Sequence, residues 1–299
     1  MYLNQNYTKI STDETLRETV RHGSDAFPFS FYYENILQFD LQCIDWHWHS
    51  EVEFVFLEKG AASFLIGSER YELTEGCGVF VNAQVIHRFE SISDAVIPNI
   101  VFSPVLLASE ESLVYQKYIQ PVLSSGMRCQ IYSPHVPWQK EILQLLKAVF
   151  SVQQKEAARE IKTLQLLLKL WTILYEHACI SENKPLSKVS ARTQGQLQIM
   201  MQYIHKNYSS AVTLEDIARS AVISKSSALN LFKKYLHTSP INYVTDYRLK
   251  CAARLLLTTE SSIASIALDT GFESAGYFCR KFKQLFQCTP GEYRKAHLQ

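Results

Sequence analysis

One segment of this chain occurs twice, and that repeat limits what its last third can fold into. Leu214-Glu-Asp-Ile217-Ala218 is matched by Ile263-Ala-Ser-Ile266-Ala267, Ser224 by Ser274, Phe232-Lys233 by Phe282-Lys283, Pro240 by Pro290 and Tyr243 by Tyr293. The offset is 49 residues before the central turn and 50 after it, so the first turn is one residue shorter. In the second copy Ile263, Ile266 and Ala267 recur at helical spacing. Gly271 can take the positive φ that ends a helix, and Ser274 is a good N-cap for the next. Phe278, Phe282 and Leu285 then form the buried stripe of that helix, with Arg280, Lys281 and Lys283 on its other face. A basic face on the second helix of a helix-turn-helix is what a DNA recognition helix carries.

Charge separates the same region from the rest. Residues 195–299 hold 13 Lys and Arg against 7 Asp and Glu, net +6, and residues 1–194 hold the remaining 17 against 22, net −5. A basic third on an acidic remainder fits a nucleic-acid module joined to something that does not touch nucleic acid. No apolar run reaches the ~18–20 residues of a membrane span. The start, Met1-Tyr-Leu-Asn-Gln-Asn-Tyr, lacks the charged end and apolar core of a signal peptide. The seven cysteines, Cys43, Cys77, Cys129, Cys179, Cys251, Cys279 and Cys288, show no CxxC spacing and read as buried free thiols of a cytoplasmic protein.

Residues 1–25 are polar, with one short helix expected near Glu14–Arg21. From Phe27 to Phe102 aromatic and β-branched residues alternate with polar ones, punctuated by Gly60, Gly67 and Gly76. That predicts a barrel or sandwich of short antiparallel strands at 28–35, 37–45, 51–58, 61–67, 70–73, 78–81 and 96–102. Within it lies Trp46-His47-Trp48-His49-Ser-Glu-Val-Glu53, with His87 further on. On a strand His47 and His49 share one face, and Trp46 and Trp48 the other, where barrel packing is their expected job and stacking on a sugar the alternative. Three imidazoles and a carboxylate can hold zinc, iron or manganese, or hydrogen-bond one another and a small ligand. A short helix is expected at Leu113–Ile119. Pro137-Trp138 opens a helix carrying Ile142, Leu145, Leu146 and Val149. A second, about Lys155–Ala178, carries an apolar surface too broad for one partner: Ile161, Leu164, Leu167, Leu168, Trp171, Leu174 and Tyr175. Residues 181–194 read as a polar linker. A helix at Gln196–Asn207 opens the last domain, and one of roughly 241–257 joins its two repeats.

The repeat resembles the paired helix-turn-helix domain of the AraC/XylS transcription regulators over Gln196 to Arg294, the second copy lying close to that family's signature. The His47, His49, Glu53 and His87 pattern is similar to that of metal-binding cupin barrels, which many such regulators carry at the N-terminus; Cys77 stands where an acidic residue is usual. The resemblance implies an α+β chain of two domains: a cupin-like β-barrel sensor over residues 1–136 followed by a helical dimerisation region at 137–180, a linker at 181–194, and an all-α double helix-turn-helix at 195–299. It implies a sequence-specific regulator, not an enzyme, acting as a homodimer on double-stranded promoter DNA with RNA polymerase, and controlled by a small-molecule effector, most plausibly a sugar. Activation is favoured over repression by resemblance alone.

The DNA-contacting residues implied are Ser224, Lys225, Ser226, Ser227, Asn230, Lys233 and Lys234 in the first unit. In the second they are Ser274, Ala275, Gly276, Tyr277, Cys279, Arg280 and Lys283. The effector pocket is placed at His47, His49, Glu53 and His87, the same four that would hold a divalent transition metal. Three departures from the family pattern bear on packing. Ala228 stands for the usual Leu, leaving a defect unless Leu229 or Leu231 fills it. Asn230 stands for Arg, and can pair with adenine. His237 and Gln287 replace glycines that follow the recognition helices, where a left-handed backbone costs on the order of 1 kcal/mol. Two rival readings stay open: a metal-dependent cupin enzyme fused to a DNA-binding domain, and a regulator whose barrel only dimerises.

Overall fold

The computed structural model describes residues 10–13, 15–39, 42–154, 157–177 and 188–297. The chain forms two compact units, Met1–Ala191 and Arg192–Gln299.

Among its described residues the first unit is built on nine strands in two antiparallel sheets. They are β1 (Phe29–Asn35), β2 (Cys43–His47), β3 (Val52–Phe56), β4 (Ala61–Ile66), β5 (Glu69–Thr74), β6 (Gly78–Val81), β7 (His87–Ser91), β8 (Val96–Phe102) and β9 (Cys129–Tyr132). One sheet has the order β1-β8-β3-β6-β9 and the other β2-β7-β4-β5. Between the sheets lies one core, which includes Val55, Val79, Val81 and Ile97 from the first sheet and Ile44, Phe64, Ile66 and Phe89 from the second. The outer face of the five-stranded sheet carries Phe54, Phe56, Phe80, Ile100 and Phe102 into a second core. There they meet helices α2 (Pro137–Gln153) and α3 (Arg159–His177), which contribute Leu146, Leu167 and Trp171 among others. Because this sheet is covered on both faces, all five residues of β3 are buried. The period of two therefore sorts side chains between two dry layers, as in sheets packed on both sides.

Several expectations need correction. No helix forms near Glu14–Arg21, of which Glu14 lies outside the described residues. Asp13 Oδ1 instead accepts from the backbone N–H of Thr15 and Arg17 at 2.7 and 3.0 Å, and Leu16 turns into the left-handed region at φ 64°. The segment then pairs with Trp48, whose N–H donates to Leu16 O while Glu18 N–H donates to Trp48 O. A strand over 37–45 is replaced by a 3₁₀ turn at Ile36–Gln38 and β2 from Cys43. β9 was not anticipated, nor was the run of β7 beyond His87. The expected helix at Leu113–Ile119 extends further, through a π turn at Tyr115–Ile119 into α1 (Gln120–Leu123). Of the six cysteines described, none is in a disulfide, only Cys43 and Cys251 are buried, and Cys179 lies outside the described residues.

The second unit is all-α. Its helices are α4 (Lys188–Asn207), α5 (Leu214–Ser220), α6 (Lys225–Leu236), α7 (Pro240–Thr258), α8 (Ile263–Asp269), α9 (Ala275–Phe286) and α10 (Pro290–His297). Residues 188–194 of the expected linker thus belong to α4, and 181–187 lie outside the described residues. The two repeats close their central turns alike. Val222 N–H donates to Arg219 O and Ile223 N–H to Ala218 O; Gly271 N–H donates to Leu268 O and Phe272 N–H to Ala267 O. Both turn residues are left-handed, φ 54° for Val222 and φ 83° for Gly271. Gly271 is required twice over, since a Cβ there would stand 2.6 Å from the carbonyl oxygen of Tyr208. Leu285 leaves the expected stripe and is 37% exposed, and Phe286 packs instead on Phe282 and Tyr293.

Val222 is a β-branched residue in the left-handed region, and it is 89% exposed, so little packing offsets its strain. Val222→Gly is expected to stabilise the second unit by roughly 0.5–1 kcal/mol, the left-handed penalty less the extra chain entropy of glycine. Chemical denaturation checks this, and a loss of stability would mean that the valine methyls make contacts worth more than the strain.

Candidate functional site

Alternation on the strands decides which polar groups enter the first unit's interior. On β3, Val52, Phe54 and Phe56 pack toward the helices, which leaves Glu53 and Val55 facing the other sheet. Cross-strand register carries the same parity outward: Glu53 pairs with Val101, Asn99 with Tyr32, and Ile97 with Glu34. On the opposing sheet Ile44 pairs with Phe89 and His47 with His87. Three residues on β2 therefore span two on β7, and this bulge turns His47 to the same side as Ile44. A plain alternation would have sent one of them outward.

The result is a buried cluster. His47, His49, Glu53 and His87 are 4%, 3%, 4% and 0% exposed. Their rings meet edge-on, with 4.1 Å between the centroids of His47 and His87 and 5.2 Å between those of His49 and His87. Each imidazole is fixed by a backbone carbonyl: Nδ1 donates to Asp45 O from His47 (2.7 Å), to Glu51 O from His49 (3.1 Å) and to Val85 O from His87 (2.8 Å). A carbonyl only accepts, so Nδ1 carries the proton and Nε2 presents its lone pair when the ring is neutral. Glu53 Oε2 lies 3.2 Å from His87 Nε2 and 3.7 Å from His49 Nε2. All three atoms are buried, and neither contact has hydrogen-bond geometry.

Burial holds His47 down to about 3, with the charge of His87 adding to the effect. Burial would also lower His49, but Glu53 raises it. Burial would raise Glu53, yet its two histidine neighbours keep it well below the usual carboxylate range. One ligand atom from each of His47, His49 and His87 lies within 4.8 Å of the others. Buried lone pairs without donors are what a metal ion would satisfy, so these residues fit a divalent transition metal, with Glu53 as the carboxylate.

His47, His49 and Glu53 of the cluster line one end of a cavity of ≈ 30 Å³, whose other polar lining residues include Glu18, His22, Tyr32, Glu34 and Asn99. The sequence reading missed these five. Glu18 and His22 sit in a segment with no alternation, and the other three look like ordinary strand residues until register brings them opposite Glu53. His22 Nδ1 lies 2.8 Å from Tyr32 Oη and its Nε2 3.2 Å from Glu18. Asn99 donates to Glu34 Oε2 at 2.8 Å. Burial pushes Glu34 up to about 8, with the charges of Glu53 and Glu18 adding to it and the Asn99 amide opposing. The tryptophans are not in the cavity: Trp46 is buried, and Trp48 donates to Thr15 O at 2.9 Å.

In the second unit Ser224 and Ser274 cap α6 and α9, accepting from Ser227 N–H and Tyr277 N–H. Ser226, Asn230 and Lys233 lie at i, i+4 and i+7 on α6 and are exposed, as are their counterparts Gly276, Arg280 and Lys283 on α9. Ser227, Lys234 and Tyr277 are exposed as well. Lys225 reaches back to Glu215 at 3.4 Å, so an acid shares its charge. Ala275 and Cys279 are less available than expected, because both are partly buried against the core of Phe278 and Phe282. Arg280 lies over the Tyr277 ring, 5.4 Å from its centroid. Ala228 is wholly buried while Leu229 stays 40% exposed, so Leu229 does not fill the space. His237 and Gln287 are left-handed at φ 53° and 59°.

Comparison with known proteins follows the same division. A model described as an AraC-like ligand binding domain matches residues 37–171, and one described as a helix-turn-helix domain matches residues 217–296. YdeC of Bacillus subtilis, an uncharacterized HTH-type transcriptional regulator, is 32% identical over 289 residues, spanning 95% of this chain and 98% of that one. The chain belongs to the AraC family of transcriptional regulators. RhaS of Yersinia pestis, an HTH-type transcriptional activator, is 25% identical over 258 residues, 83% of this chain and 88% of that one. Among solved structures, an AraC-type regulator from Chromobacterium violaceum is 33% identical and covers 36% of this chain and 97% of that one, with a TM-score of 0.35. This AraC-family chain therefore pairs a ligand-binding domain with a helix-turn-helix domain. Among the described residues no helix is long and apolar enough to cross a membrane.

Two measurements test the chemistry of these sites. Glu34 binds a proton in the folded state up to about 8 and in the unfolded state only to about 4.5. Its contribution to stability must therefore fall as pH rises through that window. Glu34→Gln, which keeps the amide contact with Asn99, is expected to remove that fall and to be the more stable form near pH 8. Identical pH profiles would show Glu34 ionised in the fold. In the other unit, Arg280→Ala leaves the Phe278 and Phe282 core intact. It is expected to weaken DNA binding across all sequences and to shrink the salt slope by about one if it meets phosphate, or to relax preference at one base pair if it reads guanine. Wild-type affinity would remove Arg280 from the interface.

Proposed function

We propose that this regulator activates transcription from promoter DNA in response to a small hydroxylated effector, a sugar or a close chemical relative, that enters the barrel cavity. The observation that carries the reading is the cavity lining. Tyr32, Glu34, Asn99, Glu18 and His22 offer donors and acceptors in a buried space, beside His47, His49 and Glu53, which His87 backs through its contact with Glu53. Ile10, Val20, Ile44, Phe89 and Val101 line the same cavity, so the lining suits a ligand with several hydroxyls on one side and an apolar face on the other.

DNA contact is assigned to α6 and α9. Asn230 and Arg280 are the central polar groups, Lys233, Lys234 and Lys283 face phosphates, and Ser224, Ser226, Ser227, Ser274, Gly276 and Tyr277 lie around them. Lys225, Ala275 and Cys279 play smaller parts, given their contacts within the unit. The 19-residue α7 between the two repeats, about 28 Å at 1.5 Å per residue, suits recognition of successive major grooves roughly 34 Å apart. Homodimerisation is assigned to residues 137–180. Ile161 and Leu168 leave an apolar ridge on α3, 56% and 40% exposed, outside the contacts with the sheet. Activation, through contact with RNA polymerase, is supported by the name given to RhaS. The enzyme reading draws on the same four barrel residues and would require turnover.

Because α4 starts at Lys188, the fragment that keeps this helix whole is 188–299. It is expected to bind the genomic fragments captured by the full chain, with affinity falling steeply with salt. His49→Ala combined with His87→Ala should abolish the effector response of the full chain and leave binding by the fragment's surface unchanged. DNA binding by the first unit alone would overturn the division of labour, and an intact effector response in the double variant would move the effector elsewhere.

A further inference from the structure

We propose that the cavity of the first unit takes a small hydroxylated primary amine, an amino alcohol or an amino sugar, and that Glu34 pairs with its ammonium group. This assignment rests on the reading of the cavity as the effector site, and it adds the group by which the ligand is told from a neutral polyol.

Around Glu34 the hydrogen-bond donors are already committed. The Asn99 amide gives one hydrogen to Glu34 Oε2 at 2.8 Å and the other to Ile97 O at 3.2 Å, so toward a ligand it keeps only its carbonyl oxygen. His22 stands between Glu18 and Tyr32. A carboxylate only accepts, so in the neutral ring Nε2–H donates to Glu18 and Nδ1 takes the proton of the Tyr32 hydroxyl. At the other end His47 and His49 commit Nδ1–H to Asp45 O and Glu51 O. What remains toward the ligand is acceptors: the carboxylates of Glu18, Glu34 and Glu53, the Asn99 carbonyl and the imidazole Nε2 lone pairs. Among the described lining residues there is no lysine or arginine, and Ser11, which is exposed, adds a hydroxyl. Two lining residues, His49 and Glu53, are 3% and 4% exposed, and His49 Nε2 and Glu53 Oε2 are buried without a hydrogen-bond partner. A dry interior that holds unanswered acceptors calls for a ligand that donates.

Such walls select by charge and by donor number. A hydroxyl brings one donor together with an oxygen that these walls cannot answer, whereas an ammonium brings three donors and no acceptor. Glu34 is the group placed to receive it. It pairs across β1 and β8 with Ile97, which faces the core between the sheets, so its carboxylate enters the interior. Asn99 occupies Oε2, and among the described residues no other group donates to this carboxylate. In the empty cavity burial keeps a proton on Glu34 up to about 8, and an ammonium replaces that proton as its partner. Ile44, Phe89 and Val101 give the carbon skeleton of the ligand an apolar surface to lie on.

The test uses the full chain, treated with a chelator so that an amine has no metal to bind, and matched probes: ethanolamine against ethylene glycol, serinol against glycerol, and glucosamine against glucose. We expect at least one amine to raise Tm while its neutral partner does not, and the pair that responds tells an amino alcohol from an amino sugar. Glu34→Gln keeps the size of the side chain and an acceptor for Asn99, and it should weaken amine binding roughly thirtyfold or more, the range for losing one partner of a buried charge pair. Glu34→Asp, which draws the carboxylate back by one carbon, serves if Glu34→Gln does not fold, and it should weaken binding in the same sense. Equal shifts from an amine and its neutral partner would overturn the proposal, as would a wild-type response in Glu34→Gln or no response to any of the amines. A shift that appears only when Zn²⁺ is restored would place the amine on a metal ion and overturn the pairing with Glu34. Promoter activity separates this site from the reading beneath it. Amines that bind through Glu34 but leave the promoter unaffected would keep the site and overturn the cavity as the effector site, and a neutral sugar that alone drives the promoter would do the reverse.

Discussion

A carboxylate inside a dry barrel is the constraint from which the first unit's architecture follows. Glu53 sits in the middle of a sheet buried on both faces, one covered by α2 and α3 and the other by the second sheet. No rotamer of a residue at that parity reaches bulk water, and an uncompensated charge there costs several kcal/mol. Compensation has to come from the opposing sheet, and it does so as imidazoles. The β2 bulge puts His47 opposite His87, and the chain leaving β2 brings His49 to the same place. Remove the bulge and His47 rotates out of the cluster, away from the ring of His87.

The same sheet ties the cavity to the helices. β3 gives Glu53 and Val55 to the interior while Phe54 and Phe56 go to the helical side, and β6 divides Val79 and Val81 from Phe80 in the same way. Phe80 meets the Trp171 ring edge-on, and Trp171 Nε1 donates to Tyr118 O at 3.0 Å. A packed core transmits displacement because it has no slack. A change in strand position at the cavity is therefore felt at α3 without any intervening loop, and α3 is the helix that carries Ile161 and Leu168 to the surface.

How much of this was legible depends on whether a feature is local. Helix caps, apolar stripes and the repeat are short-range, so Ser224, Ser274, Gly271, Phe278 and Phe282 could be read directly, and α7 came within a residue of its bounds. β6 and β8 were bounded correctly because each is a mostly apolar run between turn residues. The quartet of barrel residues was visible as a pattern of donor types. What could not be read is what depends on register. Tyr32, Glu34 and Asn99 become cavity residues only because β1 and β8 pair as they do. Glu18 and His22 belong to a segment held by Trp48 through backbone bonds, which leave no trace in side-chain pattern. Leu285 was misplaced because Phe286, one position on, packs against Tyr293 in α10, a contact made by a different helix.

The two helix-turn-helix copies show how one local plan tolerates different solutions. At the turn, Gly271 meets a backbone approach of 2.6 Å that no Cβ could occupy, whereas its counterpart Val222 faces solvent and pays only in strain. In the core, Phe278 is matched by Ala228, and both are fully buried. Both copies set a tyrosine edge-on to the matched phenylalanine, Tyr243 on Phe232 and Tyr293 on Phe282, and the first adds His205 of α4, which stacks on Tyr243 and Tyr247. The first copy therefore leans on α4 for its core, and the second closes on itself through Phe282, Phe286 and Tyr293. That difference explains why α4 has to be whole at its C-terminal end: Tyr208 and Ser210, just beyond it, accept from the Arg248 guanidinium at 2.7 Å each, and so tie the first copy to the helix that leads into the second.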